Sequence, residues 1–188
     1  AYKWDALIPA VESGTIDCVI AGMSPTAERK AVLDFSDNYY VSNLVIIVRE
    51  DGAYANAQSL ADFKGCSIGA QAATFHAEAL KQIEDVKENI LDDFTLLYTA
   101  LTANTIDGYV AEEPTAYSIC SEGSGLTFAP LVNNSTGFTC DEGDTAIAVG
   151  VRKGSDLAAA ISEIVDGISD SERSELMMKM VSIAPVEE

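Results

Sequence analysis

One string occurs twice in this chain, and the repetition limits the folds open to it. Gly14-Thr15-Ile16-Asp17-Cys18-Val19-Ile20-Ala21 is echoed by Asn104-Thr105-Ile106-Asp107-Gly108-Tyr109-Val110-Ala111. Each copy follows a stretch with apolar residues at helical spacing: Trp4, Leu7, Ile8 and Val11 before the first, Leu96, Leu97, Ala100 and Leu101 before the second. Each then breaks into a polar segment, Gly22-Met23-Ser24-Pro25-Thr26 or Glu112-Glu113-Pro114-Thr115. The unit is helix, tight turn, short buried strand, polar loop, next helix. A T-I-D-x-x-x-A match alone also arises by chance. With its flanks it points to two α/β lobes in a chain of 188 residues, rather than one continuous sheet.

The remaining pattern fits alternating strands and helices. A helix is expected over Ala27 to Val32, and Asn43 to Val48 reads as a strand. Ser59 reads as the N-cap of a short helix ending before Gly65. Cys66 to Ala70 is a buried strand, then a helix runs from Phe75 to Ile83. Pro114 to Cys120 is a further helix, Leu126 to Leu131 is extended, and Ala146 to Val151 is a strand. Helices follow over Leu157 to Ile168 and Ser171 to Val181. Such alternation predicts a mostly parallel sheet. The strand after Tyr39-Tyr40 and the return near Thr145 to Val149 are the stretches expected to join the lobes.

Composition removes several chemistries. Thirty acidic residues against 11 basic give a formal net charge of −19, which repels phosphate backbones and anionic lipid. The same field favours a cationic or zwitterionic small ligand over an anionic one. No apolar run approaches the roughly 20 residues of a membrane span. A single histidine, His76, excludes two-histidine metal sites and H-E-x-x-H proteases. A Ser-His-Asp triad would have to use His76, and no G-x-S-x-G is present. The four cysteines lack C-x-x-C spacing, so neither a structural metal nor a cofactor is expected. Cys18 and Cys66 lie in apolar runs and read as buried thiols, while a bridge between Cys120 and Cys140 stays open.

In open α/β sheets, ligands bind beyond the carboxyl ends of the strands. Three such ends carry polar groups here. Gly22, Ser24 and Arg29 follow the first repeat strand, Gln71 and Thr74 follow Ile68-Gly69-Ala70, and Glu112 follows the second repeat strand. The set suits an α-amino acid: an Arg fork and helix N-terminal amides for the carboxylate, an acid and carbonyl oxygens for the ammonium. Every one of these residues also has an ordinary reading. Arg29 fits a solvated helix charge, Ser24 and Thr74 fit N-caps, and Glu112-Glu113 fits a surface capping pair. His76 reads as a surface or rim residue, and Trp4 as core.

Longer motifs favour the ligand reading. Trp4 to Ala10 (WDALIPA), Ala21 to Lys30 (AGMSPTAERK) and Asp34 to Tyr40 (DFSDNYY) closely resemble the family 3 extracellular solute-binding proteins, the polar amino-acid receptors of ABC importers. Ser59 to Gly65, Ile106 to Pro114 and Ala148 to Gly154 continue the match in order. The resemblance implies an α/β type II periplasmic-binding-protein fold, with two lobes, a two-strand hinge and a closing cleft. Lobe 1 would comprise 1–46 and 147–188, lobe 2 47–146. The first lobe would be incomplete, its opening strands lying before Ala1, with an open sheet edge and, as expected consequences, poor solubility, a homodimer through that edge or strand exchange.

Carried over by position, Arg29 matches the carboxylate-binding arginine, and Gly22, Met23 and Ser24 the loop that contacts the ligand. Thr74 and the Phe75 amide match second-lobe carboxylate contacts, and Glu112 the acid, usually Asp, that pairs with the ammonium. Trp4 and Gln71 match positions lining the side-chain pocket. Three residues depart from the family pattern: Glu112 is a methylene longer, Ala73 stands for a frequent Gly, and Phe75 for a small hydroxyl residue. The resemblance further implies an extracellular or periplasmic receptor, tethered as a lipoprotein, that captures a polar amino acid of lysine, arginine, glutamine or cystine type. It would deliver this to an ABC permease without catalysis. A ligand-sensing domain of a receptor or permease fusion, and a secreted dehydratase-like enzyme on the same fold, are the alternatives.

Overall fold

The structure is a computed structural model and describes residues 2–121 and 123–183. A 3₁₀ turn (Trp4–Ala6) runs into α1 (Leu7–Glu12), followed by β1 (Cys18–Val19), α2 (Ala27–Val32), β2 (Leu33–Phe35), β3 (Tyr40–Val41) and β4 (Leu44–Arg49). After a 3₁₀ turn (Leu60–Phe63) come β5 (Ser67–Gln71), α3 (Phe75–Ala79), a 3₁₀ turn (Leu80–Gln82), β6 (Lys87–Leu91), α4 (Phe94–Thr102), β7 (Gly108–Glu112) and α5 (Glu113–Ile119). Then follow β8 (Leu126–Ala129), α6 (Glu142–Thr145), β9 (Ala146–Ile147), β10 (Gly150–Arg152), α7 (Leu157–Asp166) and α8 (Asp170–Ile183).

The repeat seen in the sequence is a repeat of main-chain geometry. At the end of α1 the amides of Thr15 and Ile16 both donate to the Ala10 carbonyl, at 2.9 and 3.2 Å. At the end of α4 those of Thr105 and Ile106 both donate to the Ala100 carbonyl, at 2.9 and 3.4 Å. Gly14 (φ +73°) and Asn104 (φ +58°) take the left-handed conformation that closes a helix. Glycine adopts it freely and asparagine better than most, which accounts for the residue type at this position in each copy.

Tertiary contacts divide the described chain into two compact units, 2–41 with 141–179 and 42–140 with 180–183. Two crossings fall at 41/42 and 140/141, five or six residues before the expected 46/47 and 146/147, and a third at 179/180 groups 180–183 with the second unit, where 147–188 was expected in lobe 1. A cut inside β4 would break a continuous ladder, because β4 is paired from Leu44 to Arg49. In the first unit, β1-β10-β2 form a three-stranded sheet and β3-β9 a two-stranded ladder. Val11, Val19, Met23 and Leu33 are its buried core, against which Trp4, Leu7, Ile8 and Phe35 pack.

The second unit is built on a five-stranded sheet of order β6-β5-β7-β4-β8. The apolar run of β4 is covered on both faces, as its unbroken hydrophobicity requires. Leu44, Ile46 and Val48 join a core with Phe63, Leu80 and Phe138, while Val45 and Ile47 join Leu97, Leu101 and Tyr109. Arg49 Nη1 donates to the carbonyls of Leu101 (2.9 Å) and Ile106 (2.8 Å), tying β4 to the turn that follows α4.

Several sequence expectations are corrected. Among the described residues the ladders are mostly antiparallel: only β5–β6 and β5–β7 are parallel, the pairs whose strands are linked through helical crossovers. β4 follows β3 directly and inserts antiparallel between β7 and β8, and β10 does the same between β1 and β2. The single strand expected over Ala146 to Val151 is two. The Ala148 amide donates to the Met23 carbonyl (3.1 Å) and the Val149 amide to Ser36 Oγ (3.1 Å), where the chain leaves β3 for the three-stranded sheet. The helix expected over Phe75 to Ile83 tightens to 3₁₀ after Ala79. β6, KENIL, is an edge strand that no apolar run announces.

A Cβ at Gly108 would stand 2.8 Å from both Ile46 Cγ2 and the Ile47 carbonyl oxygen of neighbouring β4. Gly108→Ala is therefore expected to destabilise the protein by about 2 kcal/mol through overpacking, read as a lowered midpoint in urea unfolding.

Candidate functional site

In the first unit, the segment after β1 is anchored before it reaches α2. Met23 is buried in the core, and its carbonyl accepts from Ala148. Gly22 (φ +66°) donates its amide to Tyr39 Oη at 3.2 Å, and burial pushes the Tyr39 phenol up from its ordinary pKa. Thr26, not Ser24, caps α2, its hydroxyl accepting from the Arg29 amide at 3.4 Å. Ser24 is buried and lends its carbonyl to Arg29 Nη1 at 3.0 Å. The Arg29 Cζ lies 5.3 Å from the centroid of the Trp4 ring, a cation–π contact. The guanidinium is thus held by its own loop and by an aromatic ring. The solvated-charge reading of Arg29 and the capping reading of Ser24 therefore do not describe this unit. Trp4 is half-buried, packs on the core as its core reading expects, and is set against Arg29.

In the second unit, parallel β5 and β7 are neighbours, so their carboxyl ends reach the same edge of the sheet. At the end of β5, buried Gln71 donates Nε2 to the Asp92 carbonyl at 3.3 Å. The Thr74 hydroxyl donates to the Gln71 carbonyl at 2.8 Å, closing the turn before α3 instead of capping the helix. The Phe75 ring packs on the core, leaving its amide as the group on the first turn of α3. At the end of β7, Glu112 begins α5 with Pro114 in the first turn. Glu113 is engaged separately, accepting from Asn43 Nδ2 (3.4 Å) and Tyr117 Oη (3.4 Å).

His76 is not the surface or rim residue expected. It is 5% exposed, its Nε2 lies 2.9 Å from Glu112 Oε1, and its ring meets Phe94 edge-on at 6.2 Å. Thirty-six positions separate the two residues, and only the β5–β7 pairing joins them. Sequence spacing carried no signal of this pair. The carboxylate of Glu112, longer by a methylene than the aspartate of the family pattern, thus lies against an imidazole.

All four cysteines are thiols, and Cys120 and Cys140 are not bridged. Cys18 is half-buried instead of buried; burial pushes the Cys66 thiol up, and that of Cys120 to about 12. Among the described residues, no cluster of three His, Cys, Asp or Glu side chains is placed to hold a metal ion, and no helix is long and apolar enough to cross a membrane. An open pocket of about 590 Å³ in the first unit, lined by Lys30, Asp34, Ser36 and Lys153 among others, contains none of the carried-over residues.

Two α/β units with polar groups gathered beyond strand ends define a type II periplasmic-binding-protein fold. The chain belongs to the bacterial extracellular solute-binding proteins, family 3, whose profile matches residues 1–181. It is 33% identical over 139 residues to a probable histidine-binding protein of Campylobacter jejuni, covering 73% of this chain and 53% of that one. It superposes with a TM-score of 0.82 on an amino acid ABC transporter substrate-binding protein of Streptococcus pneumoniae bound to L-arginine, at 26% identity, covering 97% and 74% of the two chains. An ancestral arginine-binding protein bound to glutamine aligns with a TM-score of 0.75 at 28% identity, covering 94% and 76%. The chain spans about half the length of curated relatives such as the Campylobacter protein.

Ala73, in the turn before α3, has φ +56°, where a Cβ is strained. Ala73→Gly relieves that strain and is expected to stabilise the fold by on the order of 1 kcal/mol, less the freedom glycine adds to the unfolded chain. A raised thermal midpoint checks it; a lowered one contradicts it.

Proposed function

We propose that this chain is the substrate-binding part of an amino-acid ABC importer, and that it captures a polar amino acid. In this reading Arg29 takes the ligand carboxylate together with Thr74 and the Phe75 amide, and Glu112 takes the ammonium. Gly22, Met23 and Ser24 supply loop contacts, and Trp4 and Gln71 border the ligand side chain. The observation that carries the reading is the guanidinium of Arg29, held by the Ser24 carbonyl and the Trp4 ring. A zwitterion leaves water at little net cost only where both its charges are met, and Arg29 and Glu112 are of the two signs required.

The net charge of −19 and the arginine-bound relative make L-arginine the first ligand to test, with lysine, glutamine, histidine and cystine beside it. Capture by lobe closure, delivery to a permease, lipoprotein tethering outside the cytoplasmic membrane and the absence of any chemical step belong to the same reading. Pairing of two copies along the outer edge of β1 belongs to it as well; light scattering reads that as a doubled mass.

Isothermal titration against the common amino acids tests the proposal. Saturable binding of one or two polar amino acids is expected, weakened roughly hundredfold or more by Arg29→Ala as charge-assisted hydrogen bonds are lost. The bound amino acid is expected to be recovered unchanged. An Arg29→Ala variant that binds like the parent, or a converted ligand, contradicts the proposal.

A further inference from the structure

The sole histidine of the chain is buried against the acid assigned to the ligand ammonium, and its other ring nitrogen has no partner. His76 Nε2 lies 2.9 Å from Glu112 Oε1, whereas Nδ1 is buried with no hydrogen-bond partner. A proton on Nδ1 would strand a donor away from any acceptor and set two acceptors face to face at Nε2 and Oε1. A proton on Nε2 makes one good charge-assisted bond and leaves only a lone pair unmatched, the smaller penalty. The ring packs edge-on against Phe94, which in turn packs edge-on against Tyr109 at 6.1 Å.

We infer that His76 is a positioning residue for ligand binding: as the Nε2–H tautomer it holds the Glu112 carboxylate in one orientation. The inference rests on the functional reading above, in which Glu112 meets the ammonium. Its physical content is preorganisation. A glutamate chain has three rotatable bonds, and a donor fixed in the core freezes them before the ligand arrives, so binding does not bear that ordering cost. The hydrogen bond also directs one carboxylate oxygen into the core, which sets the direction from which a cation meets the group. His76 reaches the ligand only through Glu112.

Because the chain has one histidine, its two ring nitrogens are the only imidazole signals in a ¹⁵N long-range correlation spectrum. At mildly alkaline pH, without ligand, Nε2 is expected as the protonated nitrogen, with a shift that moves in Glu112→Ala. A protonated Nδ1, or signals indifferent to Glu112→Ala, would overturn the inference. In titrations with the amino acid that the parent binds, His76→Phe keeps an aromatic ring but no donor and is expected to lose roughly tenfold in affinity. His76→Gln restores an N–H donor and is expected to recover most of the loss, with thermal melts confirming that both variants fold. A parent that binds no amino acid sinks the functional reading and the ligand role of His76 together. A parent that binds, alongside a His76→Phe variant that binds equally well, sinks the inference alone.

Discussion

Two carbonyl oxygens, those of Ala10 and Ala100, each collect two amides where a helix stops and a strand must begin. That closure, with Gly14 or Asn104 in the left-handed conformation, turns the chain out of α1 into β1 and out of α4 into β7. The consequences reach the site by simple counting along the chain. Gly22 stands as far beyond Gly14 as Glu112 does beyond Asn104, so the repeated turn aims a polar segment out of each unit at corresponding points. Arg49 reinforces the second copy by bonding to the Leu101 and Ile106 carbonyls on either side of the turn. A side chain that projects from a strand end can be placed only as well as the strand is placed.

Each of the two charged residues assigned to the ligand is already engaged within its own unit. Arg29 is steadied by a carbonyl and an aromatic face, and Glu112 by an imidazole. In a chain of net charge −19, a lone exposed arginine would find many competing carboxylates. The Ser24 carbonyl and the Trp4 ring meet the guanidinium from within its own unit. The His76 ring likewise meets the Glu112 carboxylate from within the second unit.

Much of this was legible because local patterns sufficed. The apolar run of β4, the helix α2 and the buried strand β5 each follow from a few neighbouring residues. Arg29, Ser24, Thr74 and Glu112 could be picked out as strand-end polar groups before any coordinates. β6 was not legible, because an edge strand keeps its polar residues and loses the apolar signal. Strand direction was misread, because helix–strand alternation says nothing about a strand such as β4 or β10 that inserts between two others. His76 was misread too: its neighbours in sequence describe the start of a short helix, and its true partner comes from another strand.

By itself, then, the sequence determined the repeated helix–turn–strand unit, the division into two α/β parts and the family, since each is written in residues close together or in ordered motifs. Tertiary structure alone decided that β4 and β10 run against their neighbours, that Thr26 rather than Ser24 caps α2, and that Glu112 meets His76. The reason is physical. Helix caps and apolar runs are short-range interactions and leave their mark on adjacent residues. Strand order and side-chain pairing depend on which elements share an edge, and that is settled only when the whole core is buried.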